Sequence, residues 1–276
     1  MVGENPVVFK KGIEMRSIIF AILILISTTA SFAEDFQERA DWGHFFTEQG
    51  VNGTIVVIDE RAGDNRAYDK ARAQKRYSPA STFKIPHALF ALDAGVVKDE
   101  FQVFPWDGKK RYYDFWNKDQ DLRSSMRDSV VWVYQQFALA IGERKEKEYL
   151  KKINYGNTEF SGLVQEFWLN GSLKISAIEQ VEFLQKLYRN ELPFSVEHQR
   201  LVKDIMIVEA QKYWILRAKT GTYGNKDEKY GWYVGWVEHP EGAVFFALNI
   251  DTVKDEDVPK RIEISMNVLR SIKAVE

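Results

Sequence analysis

Ser81 and Lys84 stand three residues apart in YSPASTFKIP, residues 77–86. On a helix that spacing brings two side chains to one face, with Cβ atoms about 5–6 Å apart. A serine hydroxyl is a weak nucleophile that needs an adjacent base, and a lysine amine becomes a base once it loses its proton. An ordinary lysine, with a pKa of about 10.4, is neutral in only about one molecule in a few thousand at pH 7. Burial lowers that pKa by several units, and Phe83 together with the apolar IPHALFAL after Lys84 fits a dry site. A serine in a first helical turn also lies where backbone N–H groups and the positive dipole end stabilise a developing oxyanion. Pro79 suits the start of such a turn. Taken alone, the pair also reads as purely structural: Ser81 as a helix N-cap and Lys84 on a solvated face.

Other chemistries find little support. The chain has no cysteine, which removes disulfides, thiolate catalysis and zinc–thiolate sites together. Its four histidines, His44, His87, His198 and His239, are far apart and show no His-x-x-x-His or His-x-His spacing, so neither a metal site nor a zinc hydrolase is expected. A Ser–His–Asp hydrolase is weakened by the lack of a Gly-x-Ser-x-Gly elbow. A net charge of −2 offers no broad basic surface for nucleic acid.

The elements that must hold Ser81 and Lys84 follow from the apolar pattern. GTIVVIDE (53–60) reads as a buried strand and RAGDN (61–65) as a turn. A helix is expected from about Ser81 to Ala94, stopped by Gly95. Residues 98 to 204 carry mostly helical signals, among them SVVWVYQQFALAI (129–141) and a helix over 175–190 opened by the capping pair Ser176 and Glu179. WILRAKTG (214–221), GWYVGWVE (231–238) and AVFFALNID (243–251) read as strands, the last two joined by the turn HPEG. An amphipathic helix over 259–273 ends the chain. An early strand and three late ones, flanking a helical middle, predict an antiparallel sheet completed by both ends of the chain. The α/β lobe would take residues of about 34–80 and 205–276, and an all-α lobe residues of about 81–204.

Ahead of these lies a leader. Lys10, Lys11 and Arg16 precede the apolar IIFAILILI (18–26), followed by STTASFA. Basic, apolar and small-residue regions in that order make a secretory signal with cleavage expected after Ala33, leaving 34–276 exported, periplasmic or secreted, and free of the membrane. Nine apolar residues fall short of the roughly 20 that span a bilayer, although a retained anchor is the alternative. Met15 is a candidate start, with 1–14 an upstream extension.

Three further patterns follow Ser81–Lys84 in order: Ser129-Val130-Val131, Tyr155-Gly156-Asn157 and Lys219-Thr220-Gly221. With PASTFKIP, FPWDG, FWLNGSLKIS, RAKTG, GWYVGWVE and FFALNID, the chain resembles the class D serine β-lactamases, the oxacillinases, over nearly its whole length after the leader. Each motif alone is weak; their joint order and spacing are specific. The resemblance implies the serine β-lactamase and penicillin-binding transpeptidase-like fold, with a central antiparallel sheet and the site between the lobes.

It also implies roles. Ser81 would attack the β-lactam carbonyl and form an acyl-enzyme. Lys84 would be carboxylated by CO2 or bicarbonate, to N6-carboxylysine, and serve as general base, with no other cofactor. Trp168 would donate its indole N–H to that group, with Val131 and Leu169 as apolar walls. Ser129, helped by Lys219, would pass a proton to the departing nitrogen. The backbone N–H groups of Ser81 and Thr222 would form the oxyanion hole, while Thr220, Gly221 and Arg261 would bind substrate, Arg261 suiting a planar carboxylate. Tyr155-Gly156-Asn157 reads as a structural turn and His87 as packing. Thr222 departs from the aromatic residue common in the family after Lys-Thr-Gly, and Pro105 from a common basic residue. The substrates implied are penicillins and related β-lactams, acted on by a monomer or homodimer. A penicillin-binding D,D-peptidase and a β-lactam sensor domain share these motifs and stay open as alternatives.

Overall fold

The computed structural model of the chain describes residues 36–170 and 172–276, together with Met1 and Gly3. The leader expected over 1–33 lies outside the described residues but for those two. Seven strands form one sheet: β1 (Gln37–Glu38), β2 (Gly53–Asp59), β3 (Asp64–Tyr68), β4 (Ile207–Ala210), β5 (Ile215–Gly224), β6 (Lys229–His239) and β7 (Gly242–Asp251). Their order is β1-β3-β2-β7-β6-β5-β4. The early strand β2 pairs antiparallel with the late strand β7, Val56 opposite Ala247, so both ends of the chain complete the sheet as expected.

The central strands β2, β6 and β7 are buried on both faces, which is why they read as continuous apolar runs. Side chains still alternate along each strand. Val56 and Ile58 of β2 enter the core beneath the helices, with Trp232, Val234 and Trp236 of β6. Ile55 and Val57 enter a second core on the opposite face, with Tyr233 and Val237. Ile264, Val268 and Leu269 of the C-terminal helix Lys260–Ser271 close that second core.

Several expectations need correction. The sheet is mixed, because β1 and β3 run parallel over two residue pairs. The turn expected through Asn65 ends earlier, since Gly63 reverses the chain at φ +68° and Asp64 and Asn65 already pair with Asp59 and Ile58. β3 buries only Ala67, too little apolar alternation to announce a strand. The exposed edge strand β4 is equally silent. Residues 98–121 are mostly irregular, with one 3-10 turn at Asp114–Trp116. There, side chains capture backbone donors: Trp106 N–H donates to Asp119 Oδ1 at 2.8 Å and Arg111 N–H to Asn117 Oδ1 at 2.7 Å. Such local partners offer the backbone an alternative to a helix.

The helix expected from Ser81 begins instead as a 3-10 turn, Ala80–Phe83, and becomes α-helical at Lys84–Asp93. The helix expected from Ser129 starts at Val131 and runs to Ile141. Ala177–Tyr188 is helical and carries the expected cap: Ser176 Oγ accepts from Glu179 N–H, and the Glu179 carboxylate accepts from Ser176 N–H.

Candidate active site

The turn that carries Ser81 is held in a tight, locally strained conformation. Ala80 sits at φ +47°, a backbone region that costs a residue with a Cβ of order 1–3 kcal/mol and persists only where its surroundings fix it. Those surroundings are polar and buried. Thr82 Oγ1 donates to Pro79 O at 2.7 Å and accepts from Gln180 Nε2 at 2.8 Å, which ties the turn to the helix Ala177–Tyr188. Ser78 extends the clamp: its N–H donates to the Tyr230 hydroxyl at 2.8 Å, its carbonyl accepts from Trp232 Nε1 at 2.9 Å, and its hydroxyl donates to Trp168 O at 2.8 Å.

Strand β5 runs past the same turn at Gly221. A Cβ there would lie 3.0 Å from Pro79 O and 3.3 Å from Thr82 N, tighter than ordinary contact with backbone that cannot yield. Gly221 thus permits the approach that brings Lys219 and Thr222 alongside Ser81.

Lys84 lies on the first turn of its helix with its side chain fully buried. Its Nζ donates to Ser81 Oγ at 2.8 Å and stands 5.2 Å from the centroid of the Tyr134 ring. Burial, and then the positive charge of Lys219, hold the Lys84 amine well below its ordinary pKa. Desolvation disfavours the charged form, so burial favours a neutral amine beside the serine hydroxyl.

Ser129 also occupies the left-handed region, at φ +56°, just before Val131–Ile141. Lys219 Nζ donates to Ser129 Oγ at 3.1 Å and to Thr220 O at 2.9 Å. Burial, then the nearby Arg261, pull Lys219 down to about 7. Arg261 Nη1 donates to Thr222 Oγ1 at 2.8 Å, while its buried Nε has no partner. Burial lowers Arg261 to about 10. Among the described residues, no salt bridge neutralises Lys84, Lys219 or Arg261, which leaves an electropositive cleft suited to an anionic ligand.

Trp168 is wholly buried, stacks on Phe83 with ring centroids 5.7 Å apart, and has an indole N–H with no partner. Val131 and Leu169 are half-buried, and Leu169 packs on the core beneath the helices. Tyr155-Gly156-Asn157 is a clamp for the segment bearing Trp168. The Asn157 side chain donates to Ser172 O at 3.0 Å and accepts from Lys174 N–H at 2.9 Å. A Cβ on Gly156 would lie 2.1 Å from Lys174 O.

His87 packs against Trp168 and Tyr134, with centroids 5.1 Å and 5.8 Å away. It adds a buried hydrogen bond to Glu146 Oε1 at 2.8 Å, which the sequence reading did not anticipate. Tyr134, Ser78, Tyr230 and Gln180 were also missed. None lies in a motif, and only the three-dimensional clamp identifies them.

The chain therefore brings Ser81, Lys84, Ser129, Lys219, Thr222 and Arg261 to one cleft, and relatives fit that arrangement. Residues 53–270 match the family model of the penicillin-binding protein transpeptidase domain. The chain is 59% identical over 263 residues to β-lactamase OXA-2 of Salmonella typhimurium, covering 93% of this chain and 94% of that one. It is 43% identical to β-lactamase OXA-48 of Klebsiella pneumoniae, covering 94% and 97%. The crystal structure of the class D β-lactamase FUS-1 of Fusobacterium nucleatum superposes with a TM-score of 0.84 at 38% identity, over 87% of this chain and all of that one. By fold, motif order and identity across nearly its whole length, the chain belongs to the class D serine β-lactamases.

Proposed function

We propose that this enzyme opens the β-lactam ring through an ester on Ser81, with Lys84 acting as general base for both formation and hydrolysis of that ester. The observation that carries this reading is the hydrogen bond to Ser81 from a Lys84 side chain that is wholly buried. The Ser81 proton passes to the base as Oγ attacks the lactam carbonyl. The backbone N–H groups of Ser81 and Thr222 take the oxyanion. As the C–N bond breaks, the nitrogen receives a proton from the Ser129 hydroxyl, which Lys219 replenishes; a cation whose pKa lies near 7 is matched to that exchange. Thr220 and Arg261 hold the substrate carboxylate.

N-carboxylation by CO2 suits Lys84, because only a neutral amine captures CO2 and burial favours that form here. The orphaned Trp168 N–H, with Val131 and Leu169 as the apolar walls that this reading assigns, fits a carbamate that supplies a carboxylate-like base. Among the described residues no cluster of His, Asp or Glu is arranged to hold a metal ion.

Export of residues 34–276 to the periplasm or beyond, after removal of the 1–33 leader, belongs to this reading, with antibiotic resistance as the outcome. No helix among the described residues is long and apolar enough to cross a membrane. The transpeptidase family match favours a D,D-peptidase as the second reading. A chromogenic cephalosporin separates the two: many turnovers per enzyme are expected, and a single stoichiometric acylation with no turnover would overturn the hydrolase.

Arg261→Ala is expected to lower kcat/KM for penicillins about ten- to hundredfold, since a charge-assisted hydrogen bond contributes roughly 1.5–3 kcal/mol. Steady-state kinetics with a penicillin and its neutral ester check this. An equal loss for both would show that Arg261 does not read the carboxylate.

A further inference from the structure

Beside Lys219 and Arg261 the cleft opens into a cavity of about 390 Å³, within the range of roughly 300–1,000 Å³ typical of small-molecule sites. Its floor is apolar: Met126, Met206 and Ala218 are buried. Its rim carries Ile207, Val208 and Ile262, which are 42%, 58% and 40% exposed. No described carboxylate lines it. The third cation on its wall, Arg127, is exposed and already paired with Asp128 at 2.9 Å. Lys219 and Arg261 thus face an apolar chamber with no counter-charge.

We propose that this chamber is a subsite for an apolar substituent carried beside the substrate's carboxylate. Resting on the reading that Arg261 and Thr220 hold that carboxylate, the geometry is short. The ring carbon next to the carboxylate-bearing one lies a bond away, so its substituent starts at the chamber mouth, which shares Lys219, Thr220 and Arg261 with the cleft. Charge holds one end of such a ligand and burial of the rim holds the other. Ile207, Val208 and Ile262, otherwise three isolated exposed side chains, gain a shared function as the wall that selects it.

Two measurements test the subsite. Linear saturated carboxylates from acetate to decanoate should inhibit competitively, with Ki falling about two- to fourfold per methylene, as burial of apolar chain predicts, until the chain outgrows the chamber. Alkylammonium ions of equal length should not inhibit. Val208→Gln combined with Ile262→Gln should raise Ki for octanoate about tenfold and leave acetate unchanged. For cephalosporin pairs that differ only in hydrogen or an apolar group at that ring carbon, the same double variant should lower kcat/KM about tenfold for the apolar member alone. Octanoate binding no tighter than acetate overturns the subsite, as does chain-length dependence that the rim variants leave intact. An unaltered preference among the cephalosporins overturns it too. Absence of any β-lactam turnover would instead refute the hydrolase reading, and the carboxylate series, read then as direct binding by titration calorimetry, still reports on the chamber.

Discussion

Ser81→Ala is expected to lower β-lactam turnover by on the order of a millionfold, the scale seen when the nucleophile of an acyl-transfer enzyme is removed. The loss should appear in chemistry and not in folding. The Ser81 hydroxyl contributes one hydrogen bond, accepted from Lys84 Nζ, whereas the clamp that fixes the turn runs through Thr82, Gln180 and Ser78. Arg261 and Lys219 also remain, so a penicillin should still bind reversibly. Mass spectrometry after incubation with a penicillin gives the decisive reading. The parent enzyme should carry a transient adduct, and the variant none. An adduct on the variant would mean that another serine attacks, and Ser129, bonded to Lys219, would be the one to map first.

The sequence announced this site where chemistry and local order coincide. Ser81, Lys84, Lys219 and Gly221 stand in short motifs that also fix backbone, and the structure sets them within one cleft. Gly221 illustrates why: the residue is required by a backbone approach, so the site leaves a mark on the sequence. The strands of the central sheet were legible for a related reason, because burial on both faces makes their apolar runs long. β3, β4 and the loop over 98–121 were not. Their structure depends on hairpin reversal at Gly63, on edge pairing and on side-chain capture of backbone donors, none of which needs an apolar period. Tyr134 and the buried His87–Glu146 pair escaped for another reason. Each lies on a helix whose apolar face is explained by packing, and only tertiary proximity brings them to Lys84 and Trp168. The irregular starts at Ala80 and Ser129 belong here too. Helix propensity alone carries the two helices back to Ser81 and Ser129, three and two residues further than the α-helices reach, and tertiary contacts override it there.

Lys84 carries the second large expectation, with a definite sign in pH. Burial and the charge of Lys219 lower the pKa of its amine, so the neutral form persists to lower pH than in an ordinary lysine. As pH falls through that depressed value the amine takes up a proton, and carboxylation, which consumes a neutral amine, is reversed. Activity should therefore fall on mild acidification and return with added bicarbonate by mass action. Lys84→Ala should lose about 10²–10⁴-fold in both acylation and deacylation, the usual contribution of a general base to each step, with no rescue by bicarbonate. A bare amine base predicts the same losses in the variant but no response of the parent enzyme to bicarbonate. Degassing the enzyme at low pH, returning it to neutral pH and assaying with and without bicarbonate separates the two. Labelling with 13C-bicarbonate should add a carbamate resonance that Lys84→Ala lacks. Equal rates in the two assays, together with no such resonance, would leave Lys84 as an unmodified amine and remove the carbamate from the mechanism.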